Sequence, residues 1–155
     1  RAPPAHMPCA GPGPRVGAVY EAAVAPGMTC SCHAGADGIH PTVHGTPESC
    51  ARVIDEWPRL TAVLAHLGGF REWEGVAEHI AGLDVWLDTA YTLGHLPDDE
   101  FVGLVRAHGT DRVLFGSDGP WTDPVAEIAH LRRLPFSPEE LDGIRGGHAA
   151  GLLGL

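Results

Sequence analysis

Three residues of this chain pair a metal-binding or proton-transferring side chain with one local pattern. Thr29-Cys30-Ser31-Cys32 leads to His33, and Ala34-Gly35 follows. Leu60-Thr61-Ala62-Val63-Leu64-Ala65 leads to His66, and Leu67-Gly68-Gly69 follows. Arg112-Val113-Leu114-Phe115-Gly116-Ser117 leads to Asp118, and Gly119-Pro120-Trp121 follows. Imidazole and carboxylate together suit zinc or another borderline divalent ion. Such an ion acidifies a bound water, and a nearby carboxylate can take the proton. His33, His66 and Asp118 are therefore read as one metal set, with zinc the expected ion.

Each of these residues needs an element to deliver it. Short apolar runs ending in glycine read as buried strands, and a fourth such run, Leu83 to Thr89, ends in polar groups. The strand ends fall near positions 33, 66, 88 and 118. Helices fill the gaps. One is expected from Val16 to Ala25, stopped by Pro26-Gly27. Thr46-Pro47-Glu48 opens the next, with Cys50, Val53, Ile54 and Trp57 as its stripe and Pro58 as its stop. A third runs from Glu74 to Ala81. Pro97-Asp98-Asp99-Glu100 starts a fourth, acid-first, and Gly109 ends it. Asp123-Pro124 caps a fifth, with Val125, Ile128, Ala129 and Leu131 at helical spacing. Ser137-Pro138-Glu139-Glu140 carries the capping-box pattern and opens a last helix toward Leu155. Strand–helix units of this length make parallel strands, whose C-terminal ends share one side. The fold class is α/β, with four repeats making half of an eight-stranded (β/α)8 barrel, in one partial domain over residues 1–155 with an irregular lead-in at 1–14.

Composition bounds the partners. The formal charge is −10, and all ten basic residues are arginine, a coding bias. That charge argues against nucleic-acid and anionic-membrane surfaces. No apolar run approaches the roughly 20 residues of a membrane span. Cys9, Cys30, Cys32 and Cys50 lack the spacing of a disulfide framework and read as ordinary thiols of a cytoplasmic protein.

His33-Ala34-Gly35, Leu64-Ala65-His66-Leu67-Gly68-Gly69, Leu114-Phe115-Gly116-Ser117-Asp118-Gly119-Pro120-Trp121 and the tail Gly146 to Leu155 resemble, in order, the later strands of the amidohydrolase superfamily. More narrowly they are similar to its amidohydrolase-related branch of barrel-shaped metal-dependent hydrolases and decarboxylases. The resemblance covers about Val16 to Leu155. It implies that His33, at the fifth strand end, is a metal ligand. His66, at the sixth, is a second ligand or polarises the substrate's carbonyl. Asp118, at the eighth, binds the metal and shuttles the proton of the attacking water. Asp88 and Thr89 at the seventh strand end would line the substrate pocket, with Tyr91, Trp121 and Phe70 as aromatic walls.

The chain departs from that pattern in two places. Such proteins carry a His-x-His pair on the first strand, and this chain has none; they usually carry asparagine where it has His148. The chain, beginning at Arg1, reads as processed or as a piece of something longer. The expected activity is metal-dependent hydrolysis of a small-molecule substrate. Decarboxylation by the same branch, or a catalytically silent half-barrel, is the alternative. The other partner expected is a second copy or the missing N-terminal half-barrel, because an isolated half exposes sheet edges. His40 and His44 are read as loop histidines, and His79, His95, His108 and His130 as surface or helix-end residues. A redox or zinc role for Cys30 and Cys32 is the weakest reading, since both should face the outer helices if His33 faces inward.

Overall fold

The computed structural model describes residues 14–25, 27–37, 43 and 45–155. The lead-in over 1–13, Pro26, His40 and His44 lie outside the described residues. The chain order is α1 (Pro14–Val24), β1 (Thr29–Cys32), α2 (Pro47–Glu56), β2 (Thr61–Leu64), α3 (Trp73–His79), β3 (Trp86–Asp88), α4 (Asp98–His108), β4 (Val113–Leu114), α5 (Pro124–Leu131), α6 (Pro138–Asp142) and α7 (His148–Leu153). The four strands form one parallel sheet in the order β1-β2-β3-β4. This is the expected run of βα units.

Register explains how the sheet separates its two faces. Cys32 pairs with Leu64, Leu64 with Leu87, and Leu87 with Val113. All four are buried in the core under the helices, with Val76, Ile80, Phe101 and Val105 packed there too. Each fully buried Leu or Val contributes about 1.5–3 kcal/mol of apolar burial, so this row fixes the sheet to the helix layer. The alternate row, Ser31, Val63 and Trp86, faces the other way, and Ser31 is exposed there. Cys30 packs at the edge of the core. Its thiol is pushed up by burial and then by neighbouring Cys32, which disfavours the thiolate that zinc or redox chemistry requires.

The helix signals act as expected. Thr46 Oγ1 accepts from Ser49 N, Asp123 Oδ1 from Val125 N, and Ser137 and Glu140 close a reciprocal capping box. Three expectations need correction. The strands are shorter than the apolar runs, and Asp118 sits four residues past the end of β4 in a loop. Helix α5 turns Glu127 and Leu131 inward and leaves Val125 72% exposed; helical spacing separates the faces without saying which is buried. The final helix is not continuous: a π turn over Gly143–Gly147, with Gly146 extended, separates α6 from α7. The break lets His148 lie against Gly143. His148 Nδ1–H donates to Val113 O at 2.9 Å. His148 thus docks the C-terminal segment onto β4, and Trp86 packs 6.4 Å from its ring. Among the described residues no helix is long and apolar enough to cross a membrane.

Candidate metal centre at the strand ends

The loops after β2, β3 and β4 hold the chain in unusual conformations. Five non-glycine residues have φ in the left-handed region: His66 at 60°, Leu67 at 53°, Arg71 at 61°, Tyr91 at 52° and Asp118 at 60°. Each such residue costs roughly 1–3 kcal/mol and persists only where its surroundings over-determine it. All five lie on the side where the strands end.

The loop after β1 is locked to the loop after β2. Gly35 N donates to Gly45 O at 2.7 Å, Phe70 N to Ala34 O at 2.9 Å, and Ala36 N to Phe70 O at 2.8 Å. Gly35 has φ 88°, and its α-carbon lies against the backbone of Gly69 and Phe70. A side chain there would collide with that backbone. This contact sets His33 beside His66.

His66 Nε2 and His33 Nδ1 are 3.1 Å apart. The outer nitrogens point at carbonyls, His66 Nδ1 to Ala90 O at 2.8 Å and His33 Nε2 to Ala36 O at 3.2 Å. A carbonyl only accepts, so each outer nitrogen carries the proton in a neutral ring. The inner nitrogens then present two lone pairs to each other. A shared proton or a cation relieves that opposition. Two nitrogens bound at about 2.0–2.1 Å to one tetrahedral zinc-like ion lie about 3.3 Å apart, close to the 3.1 Å of the pair for an ion set off the line between them, and the carbonyls are the outer partners that metal-binding histidines use.

Two carboxylates stand nearby. Asp88 Oδ1 accepts from both His66 N and Ala90 N at 3.0 Å. Burial pushes its carboxyl above the usual range; those two N–H groups and His66 oppose the rise, and the charge of Asp118 adds to it. Asp118 is half-buried, and its carbonyl accepts from Trp121 N at 2.9 Å. Thr122 Oγ1 donates to Ser117 O in the same turn. Among the described residues no three His, Cys, Asp or Glu side chains converge closely enough to enclose an ion. The donor set therefore fits the two-nitrogen part of a metal centre; Asp118 is not part of the histidine contact, and its charge is felt at Asp88.

The remaining expected site residues fall in distinct places. Asp88, expected to line the pocket, spends Oδ1 on two backbone groups. Thr89 is fully buried, and its hydroxyl donates to Gly116 O at 3.0 Å and accepts from Gly116 N at 3.1 Å. It ties β3 to the β4 loop and does not line a pocket. Tyr91 stacks on His95 at 4.2 Å, and Phe70 packs between them and His66. Arg71 lies over the Phe70 ring at 5.1 Å. Trp121 is 73% exposed. His108, read as a surface or helix-end residue, is the last residue of α4, but it is 1% exposed and lies 2.9 Å from Val85 O through Nε2. Trp73 was missed: its Nε1–H donates to His66 O at 3.1 Å. Only its position seven residues after His66 could have hinted at that. A groove of about 850 Å3 between α3 and α4 has Trp73 on its wall and lacks His33, His66 and Asp118.

Solved structures share this fold. An uncharacterized TIM-barrel protein from Bordetella bronchiseptica matches 96% of this chain and 52% of its own length, at 24% identity and TM-score 0.76. A 2,6-dihydroxybenzoate decarboxylase from Rhizobium matches 92% of this chain and 56% of its own, at 16% identity and TM-score 0.65. A dihydroxybenzoic acid decarboxylase from Polaromonas, with bound manganese, matches 94% and 48%, at 18% identity and TM-score 0.54. The chain thus spans about half the length of these structures. No curated relative matches it. The family profile described as Amidohydrolase matches residues 3–155. With four parallel βα units that correspond to about half of a TIM barrel, and with that profile running almost end to end, this chain belongs to the amidohydrolase family.

Proposed function

We propose that this chain carries the strand-end half-site of a metal-dependent hydrolase, with His33 and His66 as ligands and Asp118 as the proton acceptor. The observation that carries the reading is the pair of ring nitrogens facing each other at 3.1 Å with both outer nitrogens on carbonyls. A divalent ion held there supplies an acidified water and polarises a carbonyl. The protein's part is orientation. Ala90 O and Ala36 O keep the two rings turned toward each other. In this reading Asp118, half-buried and on a loop, accepts a proton at its carboxylate and returns it to a leaving group. Tyr91 and Phe70 give an aromatic side to the site. Zinc is the expected ion on ligand chemistry, and the manganese of the Polaromonas structure makes manganese the alternative.

A second reading, decarboxylation, is favoured by the names of the Rhizobium and Polaromonas structures. The two reactions differ in whether water enters the product. The test is a panel of small lactones, amides and aromatic carboxylic acids in 18O-water, with zinc or manganese added to the 155-residue chain. Incorporation of 18O that is lost in Asp118→Asn supports hydrolysis. Release of CO2 without 18O in the product contradicts it. Cytoplasmic placement and pairing with a second copy or an N-terminal half-barrel belong to the same proposal.

A further inference from the structure

His66 is held at more points than a ligand needs. Its backbone N–H donates to Asp88 Oδ1 at 3.0 Å. Its carbonyl accepts from Trp73 Nε1–H at 3.1 Å and from Gly69 N at 3.2 Å. Its ring Nδ1–H donates to Ala90 O at 2.8 Å. The same Asp88 oxygen also accepts from Ala90 N at 3.0 Å. One carboxylate oxygen thus fixes both the backbone of His66 and the residue whose carbonyl orients its ring. His66 and Leu67 are both in the left-handed region, a conformation that a non-glycine chain leaves when nothing holds it. Trp73 lies at the start of α3, so its indole anchors the strained turn to the helix layer.

We infer that Asp88 and Trp73 are positioning residues for His66: together they hold its left-handed backbone and its Nδ1–H tautomer, so that Nε2 faces His33. The inference rests on the reading of His66 as a site residue. It assigns Asp88 a role in the scaffold of the site in place of substrate contact.

The test uses the metal-free 155-residue chain labelled with 15N-histidine. Long-range 1H–15N spectra report which ring nitrogen of His66 carries the proton, and solvent exchange reports how firmly it is held. In the unmodified chain His66 is expected as the Nδ1–H tautomer with slowed exchange. Trp73→Phe keeps an aromatic ring and removes the N–H donor; exchange of the Nδ1 proton is expected to quicken roughly five- to tenfold, the worth of one hydrogen bond. Asp88→Ala is expected to scramble the tautomer. Asp88→Asn keeps an oxygen to accept both N–H groups and is expected to restore it. Urea unfolding of each variant establishes that the fold is intact; if Asp88→Ala does not fold, the Trp73→Phe and Asp88→Asn pair decides. An unchanged tautomer and exchange within about twofold in Trp73→Phe overturns the inference, as does Asp88→Asn behaving like Asp88→Ala. Zinc added afterwards separates the two claims. A brace response in a chain that binds no zinc upholds the brace and removes the metal reading. Zinc binding without a brace response does the reverse.

Discussion

Replacing Gly35 by alanine probes the contact that sets the two histidines side by side. Gly35 has φ 88°, so any side chain there costs about 1–2 kcal/mol in backbone conformation. A Cβ would also sit 2.5 Å from the Gly69 carbonyl carbon and closer still to Phe70 N and O. Those are backbone atoms, and the nearest of them, Phe70 N, makes the two loops part by well over about half an ångström to reach even a tight contact of about 3 Å. Overpacking of this kind adds about 1–3 kcal/mol. The total, about 2–5 kcal/mol, is a large part of the 5–15 kcal/mol that holds a typical domain. Gly82→Ala is the control: φ is 82°, and its nearest neighbour is Ala107 O at 3.9 Å. It should lose the backbone term alone, about 1–2 kcal/mol. Urea unfolding followed by circular dichroism measures both, and the histidine NMR spectrum measures whether the His33–His66 contact survives. Gly35→Ala should be the less stable by about 1–3 kcal/mol and should lose the ring contact. Equal stability within about 0.5 kcal/mol, with the contact intact, would refute the claim that this loop crossing positions the site.

Two further perturbations follow. Burial pushes the His108 imidazole below its usual range, so folding favours the neutral ring. Its contribution is full above about pH 6.5 and is lost as the pH falls from there toward the lower folded-state value, at up to about 1.4 kcal/mol per pH unit. His108→Gln keeps a donor for Val85 O and does not titrate; its unfolding free energy should fall less steeply between about pH 7 and pH 5, and an identical slope would show that His108 is not the group responsible. His148→Ala removes the bond to Val113 O and should cost about 1–2 kcal/mol. His148→Asn offers an N–H in nearly the same place and should recover most of that loss; thermal unfolding of the two variants decides.

The sequence made the repeat legible because its signals are local. Thr46, Asp123 and Ser137 each cap the helix expected of them, and four short apolar runs, three of them followed by glycine, give four parallel strands. That His33 and His66 each follow a strand end was legible for the same reason; their ring contact is made by the loop crossing at Gly35. What lay hidden depends on backbone groups brought together across the sheet. Nothing in Leu87-Asp88-Thr89 says that the carboxylate faces two N–H groups from different loops, or that Thr89 is spent on Gly116. The left-handed turn at His66-Leu67 has no glycine to announce it. His148 reads as an isolated oddity until Gly146 breaks the helix and brings the ring to Val113. Val125 and Glu127 show the limit of periodicity: spacing groups residues onto faces, and only packing decides which face is buried.

The central claim, that His33 and His66 hold one divalent ion beside Asp118, is tested most directly by titrating the chain with zinc while following every histidine ring by 1H–15N NMR. The ring signals of His33 and His66 should move together and saturate near one ion per chain; His33→Ala should abolish the response, and Asp118→Asn should keep the fold while weakening the affinity. Shifts confined to the other histidines, or a response that survives His33→Ala, would contradict it.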